Sequence, residues 1–175
     1  MSVAARASLC VALLTACGAS PPPPVPPPAS APSDQLGKPV DLTLPTDRGE
    51  LAGLPAAGAK ATVADFFAPT CEPCAKKVPA LYRRKAELEA MGAKLVLIGL
   101  LAGKESTEDA RTALASWGLP GAAFLVDSGD TSKREAGVRD LPTTLVLDAH
   151  GVVRWAASPG STADDVLAAT RAASR

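Results

Sequence analysis

The stretch that decides the fold is ATVADFFAPTCEPC, residues 61–74, in which an apolar run leads directly into two cysteines. Residues 61–68 are small, branched or aromatic, which is typical of a buried strand. Cys71 and Cys74 come next, and the residues around and after them favour a helix over residues 72–91 that stops at Gly92. The sequence therefore predicts a Cys-x-x-Cys pair where a strand passes into a helix.

The position of the cysteine pair indicates what it can do. The N-terminus of a helix presents unpaired N–H groups and partial positive charge, which favour a thiolate. The thiolate is the form of cysteine that attacks a disulfide. We therefore expect Cys71 and Cys74 to cycle between a dithiol and a disulfide.

The first residues have the features of an export signal. Arg6 supplies positive charge, and residues 9–16 form an apolar core that is too short to span a membrane. Residues 14–17 read Leu-Thr-Ala-Cys, which resembles the bacterial lipobox. This resemblance implies that residues 1–16 are removed as a lipoprotein signal peptide and that Cys17 carries the lipid. The alternatives are an ordinary signal peptide cleaved nearby and an uncleaved anchor.

Export of this kind also decides which thiols remain free. Cys10 is lost with the signal and Cys17 is blocked by lipid, which leaves the two cysteines of the Cys-x-x-Cys pair. Two cysteines so close would close almost no loop, so a structural disulfide framework is not expected. In an oxidising compartment the pair needs a membrane-bound thiol electron donor to stay reduced. Gly18 stands where an Asp would resemble the inner-membrane retention signal. We therefore expect the periplasmic face of the outer membrane if the cell is Gram-negative.

Residues 17–34 are interpreted as the lipidated cysteine and a linker. The prolines at 21–24 and 26–28 favour an extended polyproline II stalk, which is semi-rigid. A ligand for a proline-binding module is the alternative. Residues 35–175 have the length of one domain with a single core.

The charge balance argues against nucleic acid as a partner. Lys plus Arg and Asp plus Glu are both 18, so the net charge is zero, and no block of like charge stands out. Removal of residues 1–16 takes away only Arg6 and leaves a net charge of −1. Binding of nucleic acid therefore has no electrostatic support.

The domain alternates strands and helices after an N-terminal hairpin. We expect the hairpin at 39–44 and 50–54, strands at 61–68, 94–101, 122–127, 143–147 and 152–156, and helices at 72–91, 106–118, 132–136 and from a cap at 161–164 onward. This order predicts an α/β fold with a mixed central sheet and helices on both faces.

Three separated motifs of the sequence together resemble those of a single protein family. They are VADFFAPTCEPC at 63–74, GVRDLPTT at 137–144, and an extra helix–strand unit at about 106–127 between them. Together they resemble the thioredoxin fold, and the opening GKP at 37–39 with LTLP at 42–45 is similar to the extracytoplasmic TlpA/ResA branch. The quartet Cys-Glu-Pro-Cys, followed by Lys76, Lys77 and Pro79, is most similar to the ResA-type reductants of apocytochrome c.

The resemblance implies roles for four residues. Cys71 is the attacking nucleophile, and Cys74 is the resolving thiol that releases reduced substrate. Asp65 matches the buried acid of the family, which exchanges protons with Cys74. Pro142 matches a cis-proline that faces the cysteines. The alternatives are an Asp65 that faces a solvated edge and a trans proline that only begins a strand.

Further residues of the same region are expected to affect substrate binding. The cis bond leaves the backbone of Leu141 free to pair with an extended substrate strand, and Pro73 suits the first turn of a helix. Glu72 is linked in ResA-like proteins to tuning of the thiols and to substrate choice. Its carboxylate opposes a thiolate that the helix dipole favours. Thr70 departs from the family, which usually has a Trp before the first cysteine, and Trp117 and Trp155 are expected to be packing residues instead.

These features predict a membrane-tethered thiol–disulfide oxidoreductase that reduces protein disulfides as a monomer, with a role in cytochrome c maturation. No cofactor or metal is expected beyond the redox-active disulfide. His150 is expected to be an exposed turn residue, so a zinc site would lack ligands. Ala68 stands three residues before Cys71, where a peroxiredoxin would need Thr. The alternative functions are a copper carrier built on this fold and a docking lipoprotein that has lost the chemistry.

Overall fold

The computed structural model describes residues 35–157 and 160–175. The expected signal peptide, the lipid on Cys17 and the linker at 17–34 therefore lie outside the described residues. Within the described ranges, no helix combines the length and the apolar character that crossing a membrane requires.

Seven strands and five helices are placed in the described part of the chain. The strands are β1 Leu42–Pro45, β2 Leu51–Leu54, β3 Ala61–Phe67, β4 Ala93–Leu100, β5 Leu125–Asp127, β6 Thr143–Asp148 and β7 Val153–Ala156. The helices are α1 Cys74–Tyr82, α2 Lys85–Ala90, α3 Thr107–Ser116, α4 Thr131–Glu135 and α5 Ala163–Ala173.

The central sheet has the order β5-β4-β3-β6-β7, and β1 and β2 form a separate hairpin. β3 and β4 are parallel to each other and to β5, whereas β6 is antiparallel to β3 and β7 is antiparallel to β6. β3 lies in the centre and every one of its seven residues is buried. The predicted mixed sheet flanked by helices is confirmed.

The two faces of the sheet are covered differently. Side chains of α1, α3 and α5 pack on one face, in two apolar clusters that contain Phe67 and Val63 of β3. The other face carries the β1–β2 hairpin together with Ala136 and Val138, which follow the short α4. The hairpin therefore covers much of the apolar surface on this face of the sheet.

The single helix expected at 72–91 is wrong, because the structure divides it into α1 and α2. Pro79 lies inside α1 and cannot donate a backbone hydrogen bond to the preceding turn. The break follows at Arg83 and Arg84, where the Arg84 N–H bonds to the Leu81 carbonyl at 2.9 Å in a tighter turn. The Arg84 side chain also donates to Asp164 of α5 at 2.6 Å, so a contact between helices lies at the break.

Other element boundaries differ by a few residues. The hairpin strands are shorter than expected. β5 starts at Leu125 rather than at residue 122, and the carbonyl of Phe124 accepts a hydrogen bond from the backbone N–H of Asp47 in the hairpin loop (2.9 Å). The cap of the last helix is shifted by one residue, to a capping box formed by Thr162 and Asp165.

Candidate active site

The alternation of side chains along β3 directs Asp65 toward the helix that carries the cysteines. Val63, Asp65 and Phe67 share one face of the strand, because successive side chains point to opposite sides of a sheet. Phe67 packs in the same apolar cluster as Cys74 of α1. Asp65 is 0% exposed on this face, so the alternative in which it faces a solvated edge is wrong.

Cys71 and Cys74 form a disulfide, with their sulfur atoms 1.96 Å apart. The turn is held by backbone hydrogen bonds, from the Cys71 N–H to the Ala68 carbonyl (3.1 Å) and from the Cys74 N–H to the Cys71 carbonyl (3.1 Å). The Cys74 N–H also donates to Sγ of Cys71 at 3.3 Å. In the reduced protein, the same N–H would stabilise a thiolate on Cys71.

The two sulfurs differ in their access to a substrate. Cys71 is half-buried in the turn before α1, whereas Cys74 is 0% exposed. We expected the helix to begin at residue 72, but Cys74 is its first residue, because Pro73 is the N-cap and residues 71–73 form a separate turn. A substrate disulfide can therefore reach Cys71 and not Cys74, which suits attack by Cys71 and resolution by Cys74.

Burial raises the pKa of Asp65 from 3.8 to about 6, against two effects that lower it. Thr144 on β6 stands opposite Asp65, and its hydroxyl donates to Oδ1 at 2.6 Å. The charge of Lys77 on α1 also favours the carboxylate. A carboxyl group with a pKa near 6 is available in both forms near neutral pH, which is what proton exchange with a thiol requires.

The Leu141–Pro142 peptide bond is cis, as the resemblance implies, so the alternative of a trans proline is wrong. β6 begins at the next residue, Thr143, which pairs with Phe66 near the end of β3. Because the chain continues from this end of β3 to the cysteines, the register brings the cis-proline loop to the same end of the sheet. Leu141 packs against the same apolar cluster as Cys71.

An open groove of about 960 Å³ runs beside the cysteine turn. Its lining includes Glu72 and Pro73 from the turn, Leu141 and Pro142 from the cis-proline loop, and Lys77 from α1. Three of the four residues expected to bind substrate therefore share one groove, and Glu72 is exposed at its cysteine end.

Thr70, the fourth residue expected to bind substrate, is not in the groove lining. Its hydroxyl donates to Oε1 of Glu105 at 3.0 Å, and Oε2 of Glu105 accepts the Ala102 N–H at 2.9 Å. These bonds tie the turn before the cysteines to the loop between β4 and α3. Trp117 packs edge-on against Phe67 with ring centroids 5.8 Å apart, which confirms it as a packing residue.

Three polar residues of this region were given no role from the sequence: Lys77, Thr144 and Glu105. Lys77 lies three residues after Cys74, a spacing that places both on one side of a helix, so a signal for it existed. The contact of Thr144 with Asp65 could be predicted only if the register between β3 and β6 were known. Glu105 had no local signal, because its partner Thr70 is distant in the sequence.

No group of three or more His, Cys, Asp or Glu side chains within residues 35–157 and 160–175 is placed to hold a metal ion. His150 lies exposed in the turn between β6 and β7, where its backbone N–H donates to Asp148 at 2.9 Å. The prediction of an exposed turn residue is confirmed.

Comparison with known proteins agrees with this geometry. Residues 36–156 match the model of the AhpC/TSA family. The chain is 26% identical over 114 residues to the thioredoxin-like protein YneN of Bacillus subtilis. That match covers 65% of each protein, so the chain spans slightly less than two thirds of this relative's length.

Solved structures give the same result for the fold. A protein assigned as thiol:disulfide interchange protein DsbE from Chlorobium tepidum is 26% identical, with a TM-score of 0.65 over 78% of this chain and 98% of the other. StoA from Bacillus subtilis is 21% identical, with a TM-score of 0.64 over 77% of this chain and 98% of the other. The predicted thioredoxin fold is thereby confirmed.

Proposed function

The chain belongs to the AhpC/TSA family and its described domain is of the thiol–disulfide oxidoreductase type, and we propose that it reduces protein disulfides outside the cytoplasm. The observation that carries the proposal is the asymmetry of the Cys71–Cys74 disulfide. Cys71 is half-buried and directly precedes Glu72 and Pro73 of the groove lining, whereas Cys74 is 0% exposed and packs in the same apolar cluster as Phe67 of β3. The thiol:disulfide interchange protein DsbE among its structural relatives supports the same chemistry.

The proposed reaction transfers two electrons from the dithiol to a substrate disulfide. The Cys71 thiolate attacks one substrate sulfur, the substrate S–S bond breaks, and the other substrate sulfur leaves as a thiolate as a mixed disulfide forms. Cys74 then gives its proton to Asp65 and attacks Sγ of Cys71. The substrate sulfur that was bound to Cys71 then leaves as a thiolate, which takes up a proton, and the Cys71–Cys74 disulfide remains.

The proposal includes the partners and the location. Lipid on Cys17 would hold the domain at the periplasmic face of the outer membrane in a Gram-negative cell. A membrane-bound thiol donor would return the disulfide to the dithiol. We propose apocytochrome c as one substrate, on the strength of the Cys-Glu-Pro-Cys quartet. Ala68 stands where peroxide chemistry would need Thr, so lack of peroxidase activity stays a prediction.

The direction of electron transfer is tested by a redox titration of the full chain in defined thiol buffers. The alkylation state of the peptide that carries Cys71 and Cys74 is read by mass spectrometry. We expect a two-electron couple near or below about −250 mV, because a reductant requires a low potential. A couple near about −120 mV would make the protein an oxidant of thiols instead. Absence of a reversible couple would favour the copper-carrier or docking alternative.

The lipid anchor is tested by metabolic labelling with an alkyne fatty acid in a bacterial host. We expect Cys17→Ala to remove the label from the protein, because the thioether can form only on that sulfur. The matched control Cys10→Ala should keep the label, since residue 10 lies in the part that is cut away. Label that persists in Cys17→Ala would contradict the lipobox interpretation.

A further inference from the structure

Two buried polar atoms, one on β3 and one on α1, are not hydrogen-bonded to any described residue. They are Oδ2 of Asp65 and Nζ of Lys77. The other carboxylate oxygen of Asp65 is satisfied by Thr144. A buried ammonium and a buried carboxylate each cost free energy unless another charge or dipole compensates them. In this site each is the compensating charge of the other, because each stabilises the charged form of its partner.

Lys77 lies on α1, the helix that carries the resolving cysteine, and its charge interacts with Asp65 of β3. It lies one turn after Cys74, whose side chain packs over the same face of β3 that bears Asp65. The side chain of Lys77 is only partly exposed and lines the groove beside the cis-proline, while its Nζ is withdrawn from solvent. Lys77 therefore links the proposed substrate groove to the buried acid.

The other groups around Asp65 cannot supply this charge. β6 contributes the hydroxyl of Thr144, and β4 contributes Leu97, which is paired with Asp65 in the register. α5 contributes the apolar Val166 and Leu167 to the cluster on this side of the sheet. α1 contributes Cys74, whose thiol titrates in the reduced protein. The remaining charged groups of the groove are those of Glu72, Lys76, Arg139 and Asp140, which are all exposed residues.

We propose that Lys77 is a positioning residue for the second half of the reaction, which keeps Asp65 ionised so that it can accept the proton of Cys74. The proposal rests on the role given to Asp65 above. In the mixed disulfide, the Cys74 S–H bond breaks and its proton goes to an Asp65 oxygen. The Cys74 sulfur attacks Sγ of Cys71, whose bond to the substrate sulfur breaks, and that sulfur leaves as a thiolate. The attraction of Lys77 then favours release of that proton through solvent to the departing substrate thiolate, so Asp65 is ionised again for the next cycle.

Lys77→Met is the direct test, because methionine keeps an unbranched apolar stem and removes the charge. The matched control is Lys76→Met, which removes the same charge from the neighbouring, exposed position of α1. Lys77→Arg keeps a positive charge at the site. Two quantities are measured for each full-length protein: the titration of the Asp65 carboxyl carbon by NMR, and the pH dependence of resolution of a mixed disulfide trapped on Cys71.

In Lys77→Met we expect the Asp65 titration midpoint to move up by roughly one pH unit, as loss of a nearby opposite charge requires. The acidic limb of the resolution rate should move by the same amount. Lys76→Met should leave both in place, and Lys77→Arg should return both toward the wild type. An unchanged midpoint in Lys77→Met, or an equal shift in Lys76→Met, overturns the proposal. The Asp65 titration midpoint could also move while the pH dependence of mixed-disulfide resolution stays unchanged. That result would overturn the proposed roles of both Asp65 and Lys77. Attack by Cys71 would remain supported.

Discussion

Replacement of Cys71 by serine is expected to reduce the turnover of a disulfide substrate to the uncatalysed background. Cys71 is the accessible sulfur of the pair, and the backbone N–H of Cys74 that stabilises its charge is 3.3 Å from Sγ. A serine hydroxyl stays protonated at this position and cannot form the mixed disulfide. The measurement is reduction of a fluorescent mixed-disulfide peptide by the pre-reduced protein, in single-turnover and steady-state form.

Cys74→Ser is the matched variant, because it removes the same atom from the other position. We expect it to attack the substrate normally and then to stop, so that one equivalent of mixed disulfide on Cys71 accumulates and is visible as a mass increase. Wild-type turnover by Cys71→Ser would contradict the mechanism. Accumulation of the mixed disulfide on Cys74 in Cys71→Ser would exchange the roles of the two cysteines.

The parts of this site that could be predicted from the sequence are those encoded by neighbouring residues. The buried run of β3, the cysteine turn and the proline before β6 each depend on a few adjacent positions, and the structure places all three as expected. The burial of Asp65 could also be predicted from its neighbours, because a carboxyl inside a strand that is otherwise almost entirely apolar is buried together with that strand.

The features that could not be predicted depend on contacts between distant segments. The break between α1 and α2 coincides with the bond from Arg84 to Asp164, which are far apart in the sequence. Thr70 is likewise held by Glu105 from another loop. Lys77 was visible only as part of a motif, and its burial depends on how α1 lies over β3. Local propensity does not contain such information, because tertiary packing decides it.

Replacement of Asp65 by asparagine is expected to remove a pH-dependent loss of stability from the folded protein. Burial raises the pKa of Asp65 from 3.8 to about 6. Between these values the folded protein holds a proton that the unfolded chain has released, so a rise in pH favours the unfolded chain. The difference of about two pH units corresponds to a loss of about 3 kcal/mol, which is nearly absent below about pH 3 and complete above about pH 7.

The measurement is the free energy of unfolding of the oxidised wild type and of Asp65→Asn, by denaturant titration from pH 4 to pH 8. The difference between the two proteins cancels the titration of groups that do not interact with Asp65. Any pH-independent cost of burying the amide shifts the whole curve without changing its slope. Thr144→Val removes the hydrogen bond that lowers the pKa of Asp65, so its pH-dependent loss should exceed that of the wild type. A difference between wild type and Asp65→Asn that stays constant with pH would mean that Asp65 has an ordinary pKa. In that case Asp65 could not exchange a proton with Cys74 near neutral pH. The same titration therefore tests both the loss of stability caused by the buried carboxyl and its proposed role in proton exchange.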